Sequence, residues 1–254
     1  MPRRLKQVIY GTFYLVFFAL LGTGIYFLFL KPAPSCFDGK QNGSEEGIDC
    51  GLPACGKICL PSTLRDIAAL GEPNLFSIDD THSTFLVALQ NSNLDYAAKS
   101  FGYEVKLYDK KGAIPQTFSG NSFIYAGELK YIALPNIFVP KADVGRIEFA
   151  IQNPAWVQAD IFRKPRLTIQ DQKASISGSN LLVEGRLVNQ DTLRFPIVEI
   201  VVLFQGKLGQ PVGASVTELD NVFPNETRSF TLSHPATPDV AAAVTKVFLY
   251  AERQ

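Results

Sequence analysis

Neither sign of charge prevails in this chain: 24 Lys and Arg balance 24 Asp and Glu over 254 residues. Without a net basic field, a nucleic-acid partner is not expected. Histidine is rare too. His82 and His234 are the only two, both in stretches that read as loops, and neither has an acid and a nucleophile placed to suggest a triad. HExxH, P-loop, GxSxG and Gly-rich dinucleotide patterns are all missing. Carboxylate pairs such as Asp79-Asp80 fall at strand ends, where a solvated turn is the default. No catalytic residue is nominated, and an enzyme is not expected.

Cysteine is nearly as scarce. Its four copies, Cys36, Cys50, Cys55 and Cys59, all lie in CFDGKQNGSEEGIDCGLPACGKIC, residues 36–59. Their spacing, C-x13-C-x4-C-x3-C, lacks the paired CxxC knuckles of a zinc ribbon and the CxxC of a thioredoxin-like centre.

The side of the membrane on which this stretch lies decides its chemistry. Residues 8–30, VIYGTFYLVFFALLGTGIYFLFL, carry no charge and no proline. At about 1.5 Å per residue they form a helix of roughly 34 Å, enough to cross a hydrocarbon core. A cleaved signal peptide has a shorter apolar region, and Ala33-Pro34-Ser35 before Cys36 is a poor lipobox. Arg3, Arg4 and Lys6 precede the run and only Lys31 follows at once, so the N-terminus is expected in the cytoplasm. Everything after residue 31 then lies outside, where disulfides persist. Two disulfides are expected, with three pairings open.

Between Cys36 and Cys50 the turn signals Asp38-Gly39, Asn42-Gly43 and Glu46-Gly47 leave almost nothing apolar to bury. Asp38, Asn42, Glu45, Glu46 and Asp49 are oxygen donors crowded together, a composition that suits Ca²⁺. The competing reading is a polar turn whose side chains bond their own backbone. No other cofactor is indicated. Cys36-x-Asp38-Gly39, Asn42, Glu45 and Asp49-Cys50-Gly51 resemble the short CxDGxxNxxExxxDCGG motif of bacterial cell-surface and secreted proteins. Leu52 departs from it where a second glycine is usual. The resemblance implies an extracytoplasmic address rather than an activity.

The remaining two hundred residues read as short β-rich segments broken by Gly, Pro, Asn and Asp. Ile147, Phe149 and Ile151 alternate with Arg146, Glu148, Ala150 and Gln152, the period of a half-buried strand. These segments come twice. FLVALQN matches LVEGRLVN, EVKLYD matches IVVLFQ, residues 123–134 match 221–232, and VGRIEFAI matches VTKVFLYA, all in the same order and roughly 96–100 positions apart. Each copy has the size and turn spacing of an antiparallel Ig-like β-sandwich. Asn91, Leu107-Tyr108-Asp109 and Gly127-Glu128 resemble the FxLYD-type β domain. Gly185 through Asn189, Leu203-Phe204 and Asn225-Glu226 resemble it again, with Gln205 in place of the aspartate. Such domains are usually membrane-tethered accessory modules.

The expected fold is therefore all-β, with two tandem Ig-like sandwiches behind one transmembrane α-helix and a short disulfide-rich segment. The boundaries are a basic cytoplasmic tail at 1–7, the helix at 8–30, a stalk at 31–60, and β domains at 61–160 and 161–254, the last two joined as beads on a stiff joint. The expected role is a noncatalytic binding or scaffolding protein, single-pass in the cell membrane. It would contact lipid through residues 8–30 and an unnamed protein in the envelope. The alternative is an accessory subunit of a secretion, pilus or transport complex. Phe248 and Tyr250 face away from the core positions Val247, Leu249 and Ala251, where the first copy has Glu148 and Ala150. They are expected to form part of a partner-binding patch, the competing reading being that they pack against the other copy or under residues 235–244.

Overall fold

A computed structural model describes residues 2–27, 35–51, 54–114, 116–241 and 244–253. Residues 28–30 of the expected span, 31–34 of the expected stalk, and Leu52 lie outside the described residues. The chain forms two compact units, 1–61 and 62–254.

In the first unit, α1 (Arg3–Ile25) is a continuous helix. It begins at Arg3 rather than at Val8, so the basic residues expected in a separate tail form its first turns. Lys6–Ile25 has a mean hydropathy of 1.9 and is long and apolar enough to cross a membrane. The Thr23 hydroxyl donates to the Ala19 carbonyl at 2.8 Å, the internal bond that lets a polar side chain sit in an apolar helix. The cysteine-rich segment contains only isolated bridges, Gly47 with Cys50 and Gly51 with Lys57, among its described residues.

The second unit is built of antiparallel strands. The first repeat contains β1 (Ala68–Ala69), β2 (Asn74–Ser77), β3 (Ser83–Gln90), β4 (Tyr96–Asp109), β5 (Gln116–Ile124), β6 (Leu129–Ile137) and β7 (Val144–Gln158). The second contains β8 (Leu167–Ser177), β9 (Asn180–Asn189), β10 (Phe195–Gln205), β11 (Pro211–Val222), β12 (Thr227–Pro235) and β13 (Val244–Tyr250). One strand order occurs twice. β3 lies between β6 and the short pair β1 and β2, while β4 lies between β5 and β7. Correspondingly, β9 lies between β12 and β8, and β10 between β11 and β13. The edge that β1 and β2 form in two pieces is the single strand β8 in the second repeat.

Alternation along the strands fills two cores. In the first, Phe85, Val87 and Leu89 meet Val105, Leu107 and Phe149 from the facing sheet. In the second, Leu181 and Val183 meet Ile200, Val202 and Phe204. A further cluster joins the repeats: Leu86 and Ala133 of the first pack with Val201, Leu203, Ala214 and Tyr250 of the second. The two expected beads are thus one stack of four sheets. Strand β10 shows why. Its residues Ile200, Val202 and Phe204 enter one core while Val201 and Leu203 point the other way, so both of its faces must be covered.

The motif residues of the two copies serve one turn, repeated at a constant offset of 98 (189 minus 91, 226 minus 128). The fully buried Asn91 side-chain amide donates to the Tyr96 and Tyr125 carbonyls, and its oxygen accepts the Asn93 N–H. Asn189 donates to the Leu193 and Phe223 carbonyls and accepts the Asp191 N–H. Glu128 accepts the Tyr125 N–H and Glu226 the Phe223 N–H. Gly127 at φ 64° and Asn225 at φ 58° supply the left-handed residue that closes each turn. With no cystine between the sheets, a satisfied buried amide fixes the corner of each sandwich.

Candidate functional site

Two regions gather polar chemistry. In the first, Cys36 is bonded to Cys55 and Cys50 to Cys59, with Cα atoms 5.5 and 5.1 Å apart. The pairing is interlaced, first with third and second with fourth. A loop of this kind gains ~3 kcal/mol in the chain-entropy account of disulfides. Two glycines let the knot close. A Cβ on Gly47 would sit 2.8 Å from the Cys50 sulfur and 2.9 Å from that of Cys59. Gly51, at φ +127°, would place one 2.7 Å from the Glu46 nitrogen.

The calcium candidates make hydrogen bonds within the loop. The Asp49 carboxylate accepts the N–H groups of Asp38 and Gly39 at 3.0 and 2.9 Å. Asp38 accepts the Lys40 N–H and the Asn42 side-chain amide at 3.0 and 2.8 Å. Glu45 accepts the Asn42 N–H at 3.1 Å, and the Glu46 carbonyl accepts the Gln41 side-chain amide at 3.0 Å. Asp38, Asn42, Glu45 and Asp49 are thus internal ties of a loop that has no apolar core. These are the bonds of the polar-turn reading, in which side chains bond their own backbone, while the buried Asn42 Oδ1 has no hydrogen-bond partner. Among the described residues the metal-like grouping here is Cys36, Glu45 and Cys55, whose two sulfurs are bonded to each other and offer no thiolate.

The second region is the seam between the repeats. Tyr250 is buried, and its hydroxyl accepts the Tyr131 N–H at 2.8 Å. The Phe248 and Tyr131 rings lie 4.7 Å apart. The expected patch at Phe248 and Tyr250 is therefore corrected: the first repeat covers that face. The same face of β7 stays in solvent, where Arg146 and Glu148 pair and the Tyr108 hydroxyl donates to Glu148 at 2.6 Å. The histidines are engaged as well. His82 Nδ1 is 3.0 Å from the Asp79 carboxylate, which the N–H and hydroxyl of Thr81 hold below the usual carboxylate range. His234 lies in β12 rather than in a loop. Its Nδ1 is 2.7 Å from the Ser215 hydroxyl, and burial lowers its pKa.

At the rim of the seam sit two charges that sequence inspection did not single out. Lys130 on β6 is only 3% exposed, yet its ammonium makes no hydrogen bond or ion pair among the described residues. It lies 3.6 Å from the ring centre of Phe123 and 4.7 Å from that of Tyr250. Burial pulls its pKa down to about 8, partly opposed by Glu199. Glu199 of β10 continues the seam-facing row of Val201 and Leu203 from the other repeat, and burial pushes its pKa up against the opposing pull of Lys130. Both line a cleft of about 410 Å³ with Tyr103, Asn121 and Ser122, and this cleft adjoins another of about 270 Å³. The detectable signal was Glu199 inside FPIVEIVVLF, a run apolar on both faces except at that position.

No family model and no curated protein matches this chain. Among solved structures, it is similar to the red sea bream transglutaminase at 13% identity and a TM-score of 0.24. That match covers 69% of this chain but only 27% of the transglutaminase. A likeness at this level says nothing about activity.

Proposed function

We propose that this chain is a noncatalytic, membrane-tethered, extracytoplasmic binding or scaffolding protein. The observation that carries the reading is the pairing of all four cysteines shortly after the apolar helix α1, because such bonds persist outside the reducing cytoplasm. Arg3, Arg4 and Lys6 before the helix support an N-terminus in the cytoplasm. The repeated Asn–Glu turn supports reading both sandwiches as FxLYD-type, Ig-like domains, since it uses the residues on which that resemblance rests.

A reporter active only in the cytoplasm, fused after Gln254, should be silent; activity would invert the topology. Purification in mild detergent then tests the role. A fixed stoichiometric membrane complex would make the chain an accessory subunit of an envelope machine instead.

A further inference from the structure

A buried ammonium group normally has acceptors around it, because leaving one unpaired costs several kcal/mol. Lys130 instead lies against two aromatic faces, with its ammonium opening onto the cleft. Glu199, which faces the same cleft from the other repeat, also makes no side-chain hydrogen bond among the described residues, and no ion pair within 4.0 Å joins the two. Two opposite charges, one from each repeat, therefore border one opening without neutralising each other directly. The side chains of Asn121 and Ser122 between them are likewise unused by the chain among the described residues.

The surrounding charges narrow the chemistry of an occupant. The walls carry Glu199, Glu218 and Glu252 against Lys99 and Lys130. A simple anion would meet an excess of carboxylates, and a simple cation would meet Lys130. A molecule with both charges a few bonds apart satisfies both sides. The volume of about 410 Å³ falls within the range of small-molecule sites, about 300–1,000 Å³.

We propose that the cleft between Lys130 and Glu199 binds a small zwitterion of the α-amino-acid class, with its carboxylate on Lys130 and its ammonium on Glu199. Tyr103 forms part of the wall, and the Asn121 amide and Ser122 hydroxyl supply the remaining polar contacts. The proposal holds whichever way the membrane topology resolves.

The test is calorimetric titration of the full chain in detergent with glycine, L-alanine, L-serine and L-glutamine, up to roughly 10 mM to reach weak sites. Acetate and methylammonium serve as the two half-ligands. At least one amino acid should give saturable binding, with each half-ligand weaker by about tenfold or more, since each forfeits a charge-assisted contact. Lys130→Met and Glu199→Gln should each weaken binding by a similar factor, with unfolding midpoints showing both variants folded. Should one variant not fold, the other and the half-ligand comparison decide. No saturable heat from any of the four, acetate or methylammonium binding as tightly as the amino acid, or binding that survives substitution would each overturn the site and leave a water-bridged ion pair.

Discussion

The Phe230 ring lies directly across the β9–β12 ladder from Gly185 and fills the space a side chain there would need. A Cβ at 185 would be 2.8 Å from two of its ring carbons. In the first repeat the same cross-strand position is held by Val87 and Ile132. One copy divides the volume evenly between the strands; the other puts it all on one side. Gly185→Val alone should lose ~1–3 kcal/mol by overpacking. Phe230→Ile alone should lose a similar amount through the cavity it leaves. The double variant, which imports the pair of the first repeat, should recover most of both losses. Chemical unfolding of the four proteins gives the coupling; additive losses would mean the positions are not exchanging volume.

Asn91→Ala and Asn189→Ala should each destabilise by ~1–3 kcal/mol, because each strands two carbonyls and one N–H that are partly or fully buried. Similar losses in the two midpoints would mark one structural device used twice. A loss confined to one would separate the copies.

Stability should respond to pH through Lys130. Its folded value of about 8 lies below the ordinary 10.5, chiefly from desolvation, with Glu199, Glu128 and Glu252 pulling it up and Lys164 pushing it down. Between those values the unfolded chain binds more protons, so stability rises with pH there; below about 8 the penalty is fully present. Lys130→Met should therefore be the more stable protein near pH 7, by ~1–3 kcal/mol, and its advantage should shrink by about pH 9.5. Glu199 works in the carboxylate range with the opposite slope: its raised folded pKa makes stability fall as pH climbs from 4.5 through that value. A gap between wild type and Lys130→Met that does not change from pH 7 to 9.5 would contradict the burial argument.

Tyr250→Phe keeps the ring and removes the acceptor of the Tyr131 N–H. A loss of ~1–3 kcal/mol is expected from the stranded donor. Phe248→Ser should also lower the midpoint, because that ring packs on Tyr131. Unchanged midpoints in both would return these side chains to the surface.

In the cystine loop, Gly51→Ala should hinder oxidation, since both its positive φ and its contact with Glu46 resist a Cβ. Labelling of denatured, nonreduced protein should find reactive thiols in the variant and essentially none in the wild type. Equal, negligible labelling in both would mean the turn tolerates the methyl group.

The all-β class, the apolar helix and the cystine staple were legible because each leaves a local mark: alternation, length and spacing. The strand order was partly legible, since four collinear matches at nearly constant spacing, anchored on Asn91 and Asn189, follow one chain path twice. The pairing of the cysteines was not, because three connectivities suit the same loop. The seam was missed for a related reason. Val201 and Leu203 look like any core strand, and only the covering of both faces of β10 distinguishes them. Lys130 and Glu199 lie sixty-nine positions apart and share no motif, so their meeting is a property of the stack alone.

The seam also fixes an order of events during synthesis. Its bonds join distant parts of the chain: Tyr131 to Tyr250 across 119 positions and Tyr125 to Ala251 across 126. The first repeat emerges and can close its own core while the faces of Leu86 and Ala133 still have no cover. A nascent chain in that state carries an oily, strand-edged surface until β10 and β13 follow, the condition in which β proteins misassemble. If this half is threaded through a membrane channel, it arrives on the far side in need of a holding partner before it can be finished.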